Sequence, residues 1–122
     1  MTNDEILDLL KRKANPTAIS VMLNESGSDV KNWIANKEYM MEEYEFDPEE
    51  FLSLLPEFTI EKTGRDRLDP EKTQIVLYFQ DNDMHIAVDG YYSSYESDDY
   101  CDNSWYIAKR EIVQIEKFTK KN

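Results

Sequence analysis

Residues 73–100 read TQIVLYFQDNDMHIAVDGYYSSYESDDY: two apolar runs, an acidic turn between them, and a stretch of tyrosines, serines and acids after them. Period two sorts the first run, with Ile75, Leu77 and Phe79 on one face and Val76 and Tyr78 on the other. In the second, Met84, Ile86 and Val88 alternate with His85, Ala87 and Asp89. Asp81, Asn82 and Asp83 all tolerate turn geometry, so the spacing predicts an antiparallel hairpin of residues 73–80 and 84–89, ended by Gly90. Beyond Gly90 the pattern changes. Tyr91, Tyr92, Tyr95 and Tyr100 are interleaved with Ser93, Ser94, Glu96, Asp98, Asp99 and Asp102, which reads as a presented acidic aromatic surface and not as core.

The chain before the hairpin carries helix signals. Thr2 and Glu5 have the spacing of a capping box, opening a helix with Ile6, Leu9, Leu10 and Lys13 on one face. Asn15 followed by Pro16 starts a second helix, turning Ile19, Met22 and Leu23 inward and broken by residues 24–27. Ser28 is the expected cap of a third helix reaching Met41, with Asp29 in its first turn and Val30, Trp33, Ile34 and Met41 along one apolar stripe. Asp47 and Pro48 open a short fourth helix bearing Phe51, Leu52, Leu54 and Leu55, which Pro56 stops. Residues 58–62 alternate as a first strand, residues 63–72 read as a loop, and residues 105–109 and 111–118 supply the last strand or two. Helices first and strands after predict one α+β domain over residues 1–122. Its helical part is 1–56 and its sheet part 57–120, with the helices packed on an antiparallel sheet of roughly three to five strands.

Composition narrows the functional classes. The 122 residues include 26 acids and 14 bases, a net charge of −12, with a mean hydropathy of −0.73. Residues 1–38 hold six acids and five bases, so −11 of that charge falls from Tyr39 onward. A surface this negative repels phosphate backbones and anionic lipid heads and attracts basic protein grooves. No apolar run approaches the roughly 20 residues of a membrane span, and the acidic start MTNDEILDLL is unlike a signal peptide, so a cytoplasmic location is expected. The single Cys101 cannot form an internal disulfide, and Asp99 and Asp102 beside it disfavour a thiolate.

Residues 18–37, AISVMLNESGSDVKNWIANK, resemble the helix-turn-helix units of phage repressors in the spacing of Ile19, Leu23, Ser26, Val30 and Trp33. The resemblance implies that Lys31, Asn32, Asn36 and Lys37 reach bases or phosphates. Asn24 and Glu25 depart from the pattern around the turn, and Asp29 opposes phosphate. Metal binding by Asp81 and Asp83, or by Asp98, Asp99 and Asp102, lacks the ordered spacing and glycine of a calcium loop, and one Cys with one His builds no conventional zinc site. No phosphate-binding glycine loop, nucleophile elbow or Cys-His pair is present, so neither catalysis nor a cofactor is expected.

The run VDGYYSSY, the acids after it, Trp105 and the closing IVQIEKF resemble the C-terminal third of many small bacteriophage-encoded proteins. Small acidic phage proteins often occupy host enzymes, including defence nucleases. The resemblance therefore implies a non-enzymatic inhibitor of a basic host protein, of the anti-CRISPR kind, acting by nucleic-acid mimicry or by blocking a site. Tyr91, Tyr92, Tyr95 and Tyr100 are its expected contact area, with Glu96, Asp98, Asp99 and Asp102 pairing with basic residues of the partner. A helix-turn-helix regulator is the alternative, and a virion structural subunit a second. A homodimer is left open.

Overall fold

The computed structural model describes residues 1–65, 71–91, 99–100 and 104–110, with the backbone alone at Arg65 and Asp99. Helix α1 (Asn3–Lys13) begins at the expected capping box: Thr2 Oγ1 accepts the Glu5 N–H at 3.2 Å and Glu5 Oε1 accepts the Thr2 N–H at 3.0 Å. Those bonds hold the Glu5 carboxyl below its ordinary pKa, the Thr2 backbone N–H first among them. Ile6, Leu9 and Leu10 are buried, whereas Lys13, expected on the same face, is exposed in the last turn with Lys11 and Arg12, where cations favour the negative helix end.

Helix α2 (Pro16–Ser26) starts at Asn15, whose Oδ1 accepts the Ala18 N–H at 3.1 Å while its Nδ2 donates to the Tyr44 carbonyl at 3.3 Å. One side chain thus caps one helix and holds the end of another. Ala18, Ile19, Met22 and Leu23 are buried. Gly27 stops the helix at φ 72 and ψ −168, a backbone conformation reserved almost wholly for glycine. Its carbonyl accepts the Trp33 indole N–H at 3.1 Å.

The expected third helix is two elements. Asp29, not Ser28, is the cap, its carboxylate accepting the Lys31 N–H, and Val30–Asn36 form a 3-10 helix that passes into α3 (Lys37–Tyr44). The burial explains the tighter winding: Val30, Trp33 and Asn36, three apart, face inward, Trp33 fully. In α3 the inward positions are Met40 and Tyr44, which leaves Met41 of the predicted stripe exposed, as Ile34 is in the 3-10 helix. Helix α4 (Pro48–Leu54) follows its signals, with the Asp47 carboxylate accepting the Glu49 and Glu50 N–H groups at 3.0 and 3.2 Å. It buries Phe51, with Leu55 just beyond it, but leaves Leu52 half-buried and Leu54 exposed.

Strands β1 (Phe58–Arg65), β2 (Lys72–Phe79), β3 (Met84–Tyr91), β4 (Asp99–Tyr100) and β5 (Tyr106–Ala108) form one antiparallel sheet. Its order is β1–β2–β3, and both β4 and β5 pair with the far side of β3. The helices and this sheet make the expected α+β arrangement. β1 runs three residues past its predicted end, through a register shift between Ile60 and Lys62, and β3 continues through Gly90 to Tyr91. The predicted strand at 111–118 lies outside the described residues.

The hairpin turn is Gln80–Asn82 in 3-10 form closed by Asp83 at φ 44, one residue longer than the acidic triplet alone. Tyr78 Oη donates to the Asp83 carboxylate at 2.7 Å, which raises the phenol above its ordinary pKa, and Asn82 Nδ2 donates to the Met1 carbonyl at 3.0 Å. The turn is thereby fastened both to its own strand and to the chain start.

On the inner face Ile75, Leu77, Phe79, Met84, Ile86 and Val88 join the buried helix residues in one core. Phe46, Phe51, Phe58 and Phe79 link the layers with ring centroids 5.2, 6.3 and 5.4 Å apart in succession. From the two bonds of Asn15, Asn15→Ala should lower stability by about 2 kcal/mol in urea unfolding, while Asn15→Ser, which keeps a cap oxygen but cannot reach Tyr44, should lose about 1 kcal/mol.

Candidate functional site

Strict alternation along β2 and β3 leaves a second set of side chains on the outer face: Gln74, Val76 and Tyr78 beside Asp89, Ala87 and His85. Gln74 and Asp89 are direct cross-strand partners, and β5 sets Tyr106 beside Ala87. A network forms there. Asp89 Oδ1 accepts from Gln74 Nε2 at 2.9 Å and from Tyr106 Oη at 2.8 Å, and Gln74 Nε2 also lies 2.9 Å from Tyr106 Oη. Lys62 Nζ, from β1, donates to Gln74 Oε1 at 3.3 Å. Side chains of β2 and β5 therefore orient one exposed carboxylate of β3, and Lys62 of β1 supports it through Gln74.

Burial raises the Tyr106 phenol above its ordinary pKa, and the bond to Asp89 adds to this, while the Gln74 amide pulls the other way. The phenol stays protonated and donating at neutral pH. Next to the network Tyr91, the last residue of β3, stands 60% exposed. Asp89, Tyr91 and Tyr106, with Lys72, Gly90 and Ser104, line a depression of about 340 Å³. Nearer the turn, Tyr78 and His85 stack with ring centroids 4.6 Å apart, and His85 Nε2 lies 3.9 Å from Glu61, which also bonds Arg110.

The expected contact residues fare differently. Tyr91 is exposed on the outer face, as a contact residue must be. Tyr100 is 4% exposed and belongs to the core, because its partner in the ladder is Gly90, an inner-face position. It is withdrawn from the contact surface. Asp99 pairs with Tyr91 through the backbone, whereas Tyr92, Tyr95, Glu96, Asp98 and Asp102 lie outside the described residues. The sequence reading missed Gln74, Asp89 and Tyr106 as a unit; the signal was their place in the polar half of the alternation, usable only with the register known.

The helix-turn-helix set is not displayed together. Lys31 and Asn32 are exposed, but on a 3-10 helix and not an α-helix that could lie in a major groove. Asn36 Nδ2 is spent on Ser26 Oγ, and Lys37 Nζ sits 3.6 Å from Asp47 and 3.9 Å from Glu49. Exposed Glu42, Glu43, Glu45, Glu49 and Glu50 belong to the helical layer, and Asp89 and Tyr91 to the outer face of the sheet, so the acidic run and this site occupy different layers. No described helix is long and apolar enough to cross a membrane, and among the described residues no three His, Cys, Asp or Glu side chains are placed to hold a metal ion.

Because the folded state raises the Tyr106 pKa, its contribution to stability is complete below the free tyrosine value of about 10 and is lost as pH rises through the raised value. Denaturant melts across alkaline pH should show Tyr106→Phe losing less stability over that range than the parent chain; parallel profiles would contradict the network.

No protein-family model matches the chain, nor does any curated protein or solved structure with which it was compared.

Proposed function

We propose that the chain is a non-enzymatic acidic binding protein of bacteriophage type that occupies and inhibits a basic host protein. The partner class is a nucleic-acid-handling nuclease complex of a CRISPR-type defence system, blocked in the host cytoplasm by mimicry of its nucleic acid or by covering its site. The observation that carries this reading is the outer sheet face. A tyrosine with most of its surface in solvent stands next to a carboxylate oriented by Gln74 and Tyr106. Tyrosine supplies rigid contact area at low entropic cost, and a carboxylate already held by two donors is ordered before it meets an arginine or lysine.

The net charge of −12 supports the same class of partner, because it speeds encounter with a positive surface and discourages direct contact with nucleic acid. Glu96, Asp98, Asp99 and Asp102, which follow Tyr91 in the sequence, are on this reading further partners for basic residues. Such a surface would stand where a basic groove expects phosphates.

The test is affinity capture from a bacterial host lysate at low and moderate salt, with mass spectrometry and a labelled-DNA shift on the same preparation. The expected outcome is a basic nucleic-acid enzyme released by salt, with no DNA shift by the chain itself. Asp89→Asn should flatten the salt dependence and Tyr91→Ala should weaken capture by about tenfold, the size of one good anchor contact. Capture unaffected by both substitutions would remove this face from the interface, and a DNA shift without a protein partner would move the function to Lys31 and Asn32.

A further inference from the structure

A second surface lies in the helical layer. The 3-10 helix Val30–Asn36 and α4 run beside each other and, with the start of β1, enclose a groove of about 470 Å³. Its floor and walls are Val30, Ile34, Leu52, Leu55, Pro56 and Phe58. The winding of the 3-10 helix creates this groove: by turning Val30 and Trp33 inward it leaves Ile34 42% exposed at the groove wall. Leu52 is half-buried there, with Phe51 of α4 and Leu55 just beyond it taking the core positions.

Charge surrounds this apolar floor unevenly. Among the described residues, Asp29 and Glu57 line the groove with one cation, Lys31. These three groups leave one net negative charge beside an apolar slot. A second copy of the chain, itself at −12, is repelled by such a rim, whereas a cationic segment is attracted.

We propose that this groove takes one or two apolar anchor side chains from a basic amphipathic helix of a partner protein. A helix fits because the walls are two adjacent helical segments whose side-chain ridges receive a third, and an amphipathic helix supplies an apolar stripe with cations on its flanks. The volume accommodates branched aliphatic or aromatic anchors, and the two short walls limit their number. The inference shares with the proposed function the basic character of the partner, but it rests on different residues and stands without the outer-face site.

The test uses the full chain and a labelled synthetic helix with leucines at i, i+3, i+4 and i+7 and lysines elsewhere. The control is a peptide of the same composition in scrambled order. The amphipathic peptide should bind about tenfold more tightly than the control, the equivalent of about 1.4 kcal/mol. It should also shift the methyl NMR signals of Ile34, Leu52 and Leu55. Ile34→Ser should abolish that advantage while Ile34→Leu keeps it, and Tyr91→Ala should leave it unchanged. Equal binding of the two peptides, unmoved methyl signals, or sedimentation showing that the free chain covers the groove by self-association would each overturn the proposal. Loss of lysate capture in Tyr91→Ala with peptide binding intact would separate this groove from the outer-face site.

Discussion

Everything in the fold depends on the pairing of β2 with β3, an unbroken antiparallel register from Lys72 opposite Tyr91 to Phe79 opposite Met84. Because side chains alternate with period two, that single register decides which residues meet the helices and which meet solvent. It sends Ile75, Leu77, Phe79, Met84, Ile86 and Val88 into the core. The same register places Gln74 opposite Asp89 and Tyr78 opposite His85 on the other face. Core and candidate site are two outcomes of one constraint, since a slip of one residue would exchange the faces.

Its determinant is the turn. Gln80 joins Asp81 and Asn82 in a 3-10 turn, and Asp83 completes it in the left-handed region. A turn confined to residues 81–83 would set Gln80 opposite Met84 and Ile75 opposite Asp89, forcing a carboxylate beside a core position. The Tyr78–Asp83 bond and the ties from Asn82 to Met1 and Asn3 stabilise the longer turn locally. A few polar contacts at one end of the hairpin thus align the carboxylate near the other.

Much of the helical half was legible because its signals are local. The Thr2 capping box and the Asn15 and Asp47 caps followed by proline each act within a few residues and occur where they are read, whereas α2 runs through residues 24–26 of the expected break and stops only at Gly27. The third helix was not legible for the opposite reason. Met40 and Met41 are equally apolar neighbours, and only packing around Trp33 selects the 3-10 winding that buries the first and exposes the second. The alternation of the hairpin was plain, but the Gln74–Asp89–Tyr106 network needs a register and a strand, β5, from far along the chain. Tyr100 shows the limit of composition: set among serines and acids it reads as surface, yet pairing with Gly90 turns it into the core.

In the proposed account the outer face and the groove by Ile34 would divide the interaction chemistry between two layers, oriented polar contact on the sheet and apolar anchoring between helices. The most direct measurement of the central idea, that the hairpin's outer face is the principal contact surface, is hydrogen–deuterium exchange and carboxylate footprinting on the chain alone and bound to its captured partner. The prediction is that Asp89 loses reactivity and that protection rises along β3 and β5 at their outer-face ends, while Asp8 and Asp4 on α1 stay unchanged. Full reactivity of Asp89 in the complex, with protection confined to the helices, would contradict it.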